Sequence, residues 1–138
     1  MACGGQGAGR VIIALDLESA DEARDLVRRL GPTADACKIS LQLLTVAGPA
    51  LVRELTHTGK LVFLDLQLYE NPQAVAGAVT AAGRLGAAMV TVHGSAGSAV
   101  LRAAVVAAAP LPQLRVLALT VITNLSHSDL LRSAWRRQ

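Results

Sequence analysis

Charged side chains stand in the carboxyl halves of three apolar segments, and their types suit acid–base chemistry. Asp16 ends the first segment, Lys38 lies in the second, and Asp65 lies near the end of the third. Burying an ammonium or a carboxylate group is costly unless the group is paired, so Lys38 and Asp65 are predicted to be partners in one site. Glu70 follows closely, so the acids outnumber the single lysine. Such crowding of charge is characteristic of active sites.

Polar residues also end the two remaining apolar segments. His93 ends the fourth segment, and Thr123 and Asn124 end the fifth. In a barrel these residues would converge on one mouth with the first three, whereas the alternative is that strand ends simply meet water. His93 is predicted to be a hydrogen-bonded strand-end histidine rather than an acid or a base. Residues 94–97 are predicted to form a tight turn rather than an anion nest, and no group of residues indicates a metal site.

Five strand-then-helix units must position these side chains. Strands are predicted at residues 11–16, 34–40, 60–66, 89–93 and 115–123. Each is a nearly continuous apolar run with a helix after it, which indicates an α/β protein whose parallel sheet is covered on both faces. Two architectures accept five such units. One is a partial (β/α)8 TIM-type barrel with strand order 1-2-3-4-5, and the other is a flavodoxin-type sheet with order 2-1-3-4-5.

Capping residues predict where the helices begin. Two pairs match a capping box, Ser19 with Glu22 and Ser126 with Asp129. Asn71 offers an N-cap before Pro72, whose ring presets the first helical turn. Residues 41–48 are predicted to be a loop or short turn, followed by a helix from Pro49 to near Gly59.

Composition limits the class of protein. The chain has 138 residues, of which 52% are hydrophobic and only 2% aromatic, and its net charge is +3. These values predict one domain with a core of small aliphatic contacts. The domain is predicted to span residues 11–138, after a disordered leader at residues 1–10. Cys3 and Cys37 do not form the pattern of a disulfide scaffold, which favours the cytoplasm. No apolar run reaches the ~20 residues of a membrane span, and the arginines near the end lack the interleaved aromatics of a nucleic-acid site.

Four motifs occur in an order and at spacings typical of one enzyme family. They are Val-Ile-Ile-Ala-Leu-Asp at 11–16, Cys-Lys-Ile-Ser-Leu-Gln-Leu-Leu at 37–44, Val-Phe-Leu-Asp-Leu-Gln-Leu-Tyr-Glu-Asn-Pro-Gln-Ala-Val at 62–75, and Thr-Val-His-Gly at 91–94. Together they resemble the orotidine 5'-phosphate decarboxylase family over practically the whole chain. The resemblance implies a (β/α)8 barrel, of which residues 11–138 would form a single incomplete domain. It also implies a homodimer or higher oligomer, and conversion of orotidine monophosphate to uridine monophosphate and CO2 without a cofactor. Related sugar-phosphate lyases have a metal-binding Glu where Lys38 stands, so they fit less well.

The resemblance also implies roles for the site residues. Lys38, Asp65 and Glu70 correspond to members of a catalytic array of alternating charges, in which Glu70 would act across a dimer interface. In such an array an acid beside the substrate carboxylate disfavours the ground state, and an ammonium group stabilises and protonates the carbanion. The lysine of the family's third-strand motif is Gln67 in this chain.

The substrate-binding residues implied by the resemblance lie at the other strand ends. Asp16 corresponds to the acid that holds ribose hydroxyls. Asn124 stands where a serine usually reads the pyrimidine edge, and an amide can both donate and accept there. His93 and Thr123 are placed in the same substrate-binding set.

The chain departs from the family pattern at its proton donor. Gln67 carries no positive charge, and Glu70 is one methylene longer than the usual acid. Strands six to eight, with the loops that the family uses for phosphate, have no counterpart in these 138 residues. We therefore expect decarboxylation by the isolated chain to be impaired or absent. The alternative is a catalytically silent fragment or pseudoenzyme that acts as a dimerisation or nucleotide-binding module.

Overall fold

Alternating strands and helices make up the chain in the computed structural model, which describes residues 11–132. In chain order the elements are β1 (Ile12–Leu15), α1 (Ala20–Leu30), β2 (Ala36–Ser40), α2 (Leu41–His57), β3 (Leu61–Leu68), α3 (Pro72–Arg84), β4 (Met89–His93), α4 (Ser98–Ala108), β5 (Arg115–Leu119) and α5 (His127–Arg132). Short 3-10 turns follow α1 and β4. The predicted leader, with Cys3, and the arginines at 136 and 137 lie outside the described residues.

All five strands form one parallel sheet in the order β1-β2-β3-β4-β5. Each strand therefore pairs with the next strand along the chain, as in a barrel wall. The predicted barrel-type order is confirmed, and the flavodoxin-type order is excluded. Because the strands are parallel, their carboxyl ends meet at one edge of the sheet.

The core lies between this sheet and the helices. Val62 and Leu64 of β3 and Val90 and Val92 of β4 are at most 1% exposed, and residues two apart on a strand share one face, which is the face that the helices cover. The other face carries Ile12, Leu61 and Leu117 at 36–41% exposure, so the prediction that both faces are covered is not met within the described residues. Helix α3 contributes Val75, Val79 and Ala82 to this core. Among residues 11–132, no helix is both long and apolar enough to cross a membrane.

Capping hydrogen bonds begin the helices at the predicted positions. The Ser19 hydroxyl accepts from the Glu22 N–H at the start of α1. The Asn71 side chain accepts from the Ala74 N–H, with Pro72 in the first turn of α3. These bonds satisfy backbone donors that the first helical turn leaves unpaired. The start of α3 is thereby fixed directly after the end of β3.

The predicted loop at residues 41–48 is wrong, because α2 already begins at Leu41. The Ser40 hydroxyl accepts from the Leu43 N–H and caps a first helical segment that sequence reasoning overlooked. Gly48, with φ 67° and ψ −175°, interrupts the helix, and Pro49 then opens the second segment. A helix therefore lies directly after the carboxyl end of β2, at the edge of the sheet.

The fifth strand is shorter than predicted, since β5 ends at Leu119 instead of Thr123. Its only strand neighbour among the described residues is β4, which pairs His93 with Leu119 and then ends. At Gly94 an added Cβ would lie 3.0 Å from the Leu119 carbonyl oxygen, so this close approach of the two chain segments favours glycine. Without a paired neighbour, the residues after Leu119 leave the sheet.

Candidate active site

Three charged side chains meet at the carboxyl edge of the first three strands. The Lys38 Nζ atom lies 3.4 Å from Oδ2 of Asp65 and 3.8 Å from Oδ2 of Asp16. Asp65 pairs with Ser40 in the sheet register, and Lys38 precedes Ser40 by two residues. Lys38, Ser40 and Asp65 therefore lie on the same face of the sheet. The predicted pairing of Lys38 with Asp65 is therefore present, and Asp16 joins it.

The exposure of these groups differs. The side chains of Lys38 and Asp65 are 26% and 20% exposed, whereas that of Asp16 is 59% exposed. Both N···O distances exceed the ~2.7–2.9 Å of a short charge-assisted hydrogen bond. The ammonium group is therefore held by two carboxylates without being tightly bonded to either. A ligand carboxylate, hydroxyl or carbonyl oxygen could approach it.

An open pocket of about 450 Å³ lies beside this cluster. It is lined by strand-end residues and by the first turn of α2, namely Asp16, Ser40, Leu41, Gln42, Asp65, Leu66 and Gln67. The pocket therefore places carboxylates, amides and a hydroxyl around one cavity. Such a mixture suits a polar ligand that carries several hydroxyl and carbonyl groups.

Thr91 of β4 contacts two residues of this site, Asp65 and Gln67, and this role was not predicted from the sequence. Its hydroxyl donates to Oδ1 of Asp65 at 3.0 Å and accepts from the Gln67 N–H at 2.8 Å. Thr91 is only 5% exposed. The available signal was a single hydroxyl in an otherwise apolar strand, Met-Val-Thr-Val-His.

Glu70 does not join the Lys38 cluster. Its Oε1 atom accepts from the Asn71 backbone N–H at 2.8 Å and from the Asn71 side-chain amide at 3.1 Å. Glu70 is exposed and is directed to the start of α3. The expectation that Glu70 crowds the same lysine is not met within the chain, because β3 ends at Leu68 and the chain turns toward the helix. A role across a dimer interface stays a prediction.

His93 makes the contacts of a strand-end histidine. Its Nδ1 atom accepts from the Ser95 N–H at 3.3 Å and lies 2.6 Å from the Ser95 hydroxyl. Its ring meets that of Tyr69 edge to face, with centroids 5.5 Å apart. These contacts cap the turn that follows β4. Whether His93 also contacts a substrate stays a prediction.

Thr123 and Asn124 are not among the residues that line the pocket. Both are exposed and lie in a turn beyond the end of β5. The structure therefore does not bring them to the Lys38 cluster. The contact of Asn124 with a pyrimidine and the substrate-binding role of Thr123 stay predictions, and both would require this turn to approach the pocket.

Metal ligands are not gathered in the part of the chain that the structure describes. No group of three or more His, Cys, Asp or Glu side chains within residues 11–132 is placed to hold a metal ion. The arrangement around Lys38 pairs unlike charges. It favours chemistry in which an ammonium group and carboxylates act directly on a ligand.

Known proteins match this chain in both sequence and structure. Residues 9–137 match the Orotidine 5'-phosphate decarboxylase / HUMPS family. The orotidine 5'-phosphate decarboxylase of Anaeromyxobacter dehalogenans is 40% identical over 121 residues, which cover 88% of this chain and 52% of that protein. The enzyme of the same name from Sodalis glossinidius is 42% identical over 129 residues, which cover 91% of this chain and 50% of that protein. The chain thus spans about half the length of the curated relatives it matches.

Solved structures also match this chain. The crystal structure of orotidine 5'-phosphate decarboxylase from Lactobacillus acidophilus superimposes with a TM-score of 0.81 at 30% identity, covering 94% of this chain and 60% of that chain. An uncharacterized conserved protein from Geobacillus kaustophilus gives a TM-score of 0.83 at 30% identity, covering 92% and 61% of the two chains. Each match covers more than nine-tenths of this chain and about three-fifths of the solved one.

Proposed function

This chain belongs to the orotidine 5'-phosphate decarboxylase / HUMPS family, and from that premise we propose that its pocket binds a pyrimidine nucleoside 5'-monophosphate and decarboxylates orotidine monophosphate weakly or not at all. The observation that carries the proposal is the position of Lys38 between Asp65 and Asp16, two acids that line the pocket. Curated relatives at about 40% identity are named for this decarboxylase activity.

Each of the three charged side chains suits a different part of the proposed substrate. Lys38 supplies a cation that would stabilise negative charge on a pyrimidine ring. Asp65, paired with it, would stand beside the carboxylate of orotidine monophosphate and disfavour the bound ground state. Asp16 is the most exposed of the three and, as an acceptor with two oxygens, is suited to ribose hydroxyls.

Gln67 is the reason to propose weak turnover. It lines the pocket two residues after Asp65, where the family pattern has a lysine. A side-chain amide is not a practical acid near neutral pH, so it cannot deliver a proton to a carbanion. Lys38 would have to act as both the electrostatic stabiliser and the proton source. Binding without efficient catalysis is the function that this arrangement supports best.

The proposal also covers the cofactor, the cellular compartment and the partners of the protein. No cofactor is needed, because the proposed chemistry uses only charged side chains. Cys37 is a buried free thiol, which suits the reducing cytoplasm. A homodimer or higher oligomer, without nucleic acid or membrane as a partner, completes the proposal. The second candidate function, a catalytically silent dimerisation or nucleotide-binding module, is favoured by the same glutamine.

Titration calorimetry with uridine monophosphate and with orotidine monophosphate tests the proposal. We expect Lys38→Ala to weaken binding about tenfold or more, since a hydrogen bond to a charged group contributes ~1.5–3 kcal/mol. Arg28→Ala is the matched control, because it also removes one positive charge, from an exposed pair with Asp25 on α1. Equal weakening by both variants would show non-specific attraction of the phosphate. Binding without measurable loss of the orotate absorbance is the result that we expect of the 138-residue chain, and no binding of either nucleotide would reject the proposal.

A further inference from the structure

A buried hydroxyl connects the carboxylate of Asp65 to the backbone of the residue where the family lysine is replaced. Thr91 lies in β4 between Val90 and Val92, both of which are fully buried. Its hydroxyl accepts from the Gln67 N–H at 2.8 Å and donates to Oδ1 of Asp65 at 3.0 Å. One hydroxyl has a single donor hydrogen and two acceptor lone pairs, so both bonds can form at once.

The backbone at Gln67 is unusual. Its φ angle is 50°, which makes it the only residue other than glycine with a positive φ among residues 11–132. A glutamine in this left-handed region is strained, because its Cβ crowds the backbone. Such conformations persist where the surroundings hold them, and they cluster at functional sites.

A break in the strand ladder explains why Gln67 needs a side-chain partner. Leu64 pairs with Val90 and Leu68 pairs with Val92, so the four-residue step on β3 spans a two-residue step on β4. The extra residues of β3 bulge from the ladder, and in this bulge the Gln67 N–H bonds to the Thr91 hydroxyl. A bulge also redirects side chains. Here Asp65, Leu66 and Gln67 all line the pocket, whereas a regular strand would turn the middle residue to the opposite face.

From this geometry we infer that Thr91 is a positioning residue, which fixes the left-handed turn at Gln67 and the orientation of the Asp65 carboxylate. With Oδ1 held by Thr91, Oδ2 of Asp65 faces the Lys38 ammonium at 3.4 Å. The inference deepens the proposed function and rests on it for its effect on nucleotide binding. Thr91 does not line the pocket itself and acts through its two partners.

The alternative is that Thr91 is an ordinary buried threonine that serves only packing. Thr91→Val keeps the shape of the side chain and removes both hydrogen bonds, whereas Thr91→Ser keeps the hydroxyl. Thr80→Val is the matched control, because the Thr80 hydroxyl donates to the Ala76 carbonyl at 2.9 Å within α3, remote from the pocket. A packing role predicts that loss of a methyl group in Thr91→Ser has effects as large as loss of the hydroxyl.

Amide hydrogen exchange followed by NMR, combined with uridine monophosphate titration, tests the inference. In the unmodified protein we expect the Gln67 amide to be protected, although it lies in a bulge. In folded Thr91→Val its protection should fall about tenfold or more, the scale of one hydrogen bond, and the nucleotide should bind correspondingly more weakly. Thr91→Ser and Thr80→Val should retain both properties.

Two results would overturn the inference. One is rapid exchange of the Gln67 amide in the unmodified protein, a measurement that stands even when Thr91→Val fails to fold. The other is a folded Thr91→Val protein with unchanged Gln67 protection and unchanged nucleotide affinity. If the unmodified protein binds no nucleotide, the proposed function fails, whereas the exchange of the Gln67 amide still decides whether Thr91 holds this turn.

Discussion

Lys38 and Asp65 lie on adjacent strands, with the ammonium nitrogen 3.4 Å from one carboxylate oxygen. Their side chains are 26% and 20% exposed, so the pair is neither at the surface nor in the dry core. Asp16 provides a second carboxylate 3.8 Å from the same ammonium group. Because of this second partner, loss of Asp65 would not leave Lys38 without a counter-charge. This geometry determines how large a loss of stability we expect when Asp65 is replaced.

Replacing Asp65 with alanine should destabilise the fold moderately. Breaking a fully buried ion pair costs ~3–5 kcal/mol and breaking an exposed one costs under ~1 kcal/mol. Since this pair is partly buried and Lys38 retains Asp16, we expect a loss of about 1–3 kcal/mol in the free energy of unfolding. Urea denaturation of Asp65→Ala measures it.

Two controls separate charge from hydrogen bonding at this position. Asp65→Asn keeps an oxygen that can accept from Thr91 and removes only the charge, so it should lose less stability than Asp65→Ala. Asp21→Ala removes a carboxylate whose side chain is 93% exposed in its pair with Arg24, and its denaturation midpoint should hardly move. A midpoint for Asp65→Ala equal to that of the unmodified protein would contradict a coupled pair.

The edge of β5 should promote self-association of the 138-residue chain. Within the described residues β5 pairs only with β4, and Leu117, Ile122 and Leu125 in and after it are 36–40% exposed. Unpaired apolar edges recruit further strands. We expect dimers or larger species at micromolar concentration in sedimentation velocity, and Leu117→Lys should shift the population toward monomer.

Val105→Lys is the matched control for that experiment. Val105 is 61% exposed but lies on α4, where no strand edge is available. The same charge placed there should leave the assembly unchanged. A single monomer peak for the unmodified chain at high concentration would refute the edge argument.

Most of the fold could be predicted from the sequence because its signals are local. Apolar runs and capping residues such as Asn71 and Ser126 depend on neighbours a few positions away, and these elements were found where predicted. The helix that starts at Leu41 was missed because its cap is Ser40, a residue assigned to the strand. The early end of β5 was missed because β5 ends where its partner β4 ends, and the pairing of two strands cannot be read from either segment alone.

The candidate site divides in the same way. The cost of burying a lone charge was enough to pair Lys38 with Asp65 from sequence. The bonds made by Thr91 could not be found, because they arise from a bulge that shifts the register of β3 against β4. Glu70 was misplaced for a related reason, since its direction depends on where β3 ends and the chain turns into α3.

The N-terminal cap of α5 should weaken in acid. Hydrogen bonds from the Ser126 hydroxyl and backbone N–H, and then from Arg132, lower the pKa of the Asp129 carboxyl from its ordinary value of 3.8. A carboxyl with a lowered folded-state pKa contributes stability that is fully present above 3.8 and is lost as the pH falls through the folded-state value. We expect the NMR signal of the Ser126 amide to titrate in that window, below 3.8. Asp129→Asn should abolish this titration, and an unchanged profile in that variant would show that another group is responsible.

The final prediction concerns catalysis by the pocket. The unmodified 138-residue chain should give no measurable decarboxylation of orotidine monophosphate, followed as loss of the orotate absorbance, because Gln67 cannot protonate a carbanion. Substantial turnover would contradict this and would identify Lys38 or a water molecule as the proton donor.

Gln67→Lys alone should gain little activity. It restores one proton donor, whereas binding energy from a remote phosphate is what organises a reacting centre of this kind. Barrel enzymes commonly bind phosphate after strands seven and eight, and the described residues supply β1 to β5. We expect substantial turnover only when Gln67→Lys is combined with three further βα units taken from one of the longer relatives, fused or added in trans. Gln67→Asn in the same fusion is the matched control, since it alters the side chain without adding a donor, and equal rates for the two fusions would show that position 67 does not deliver the proton.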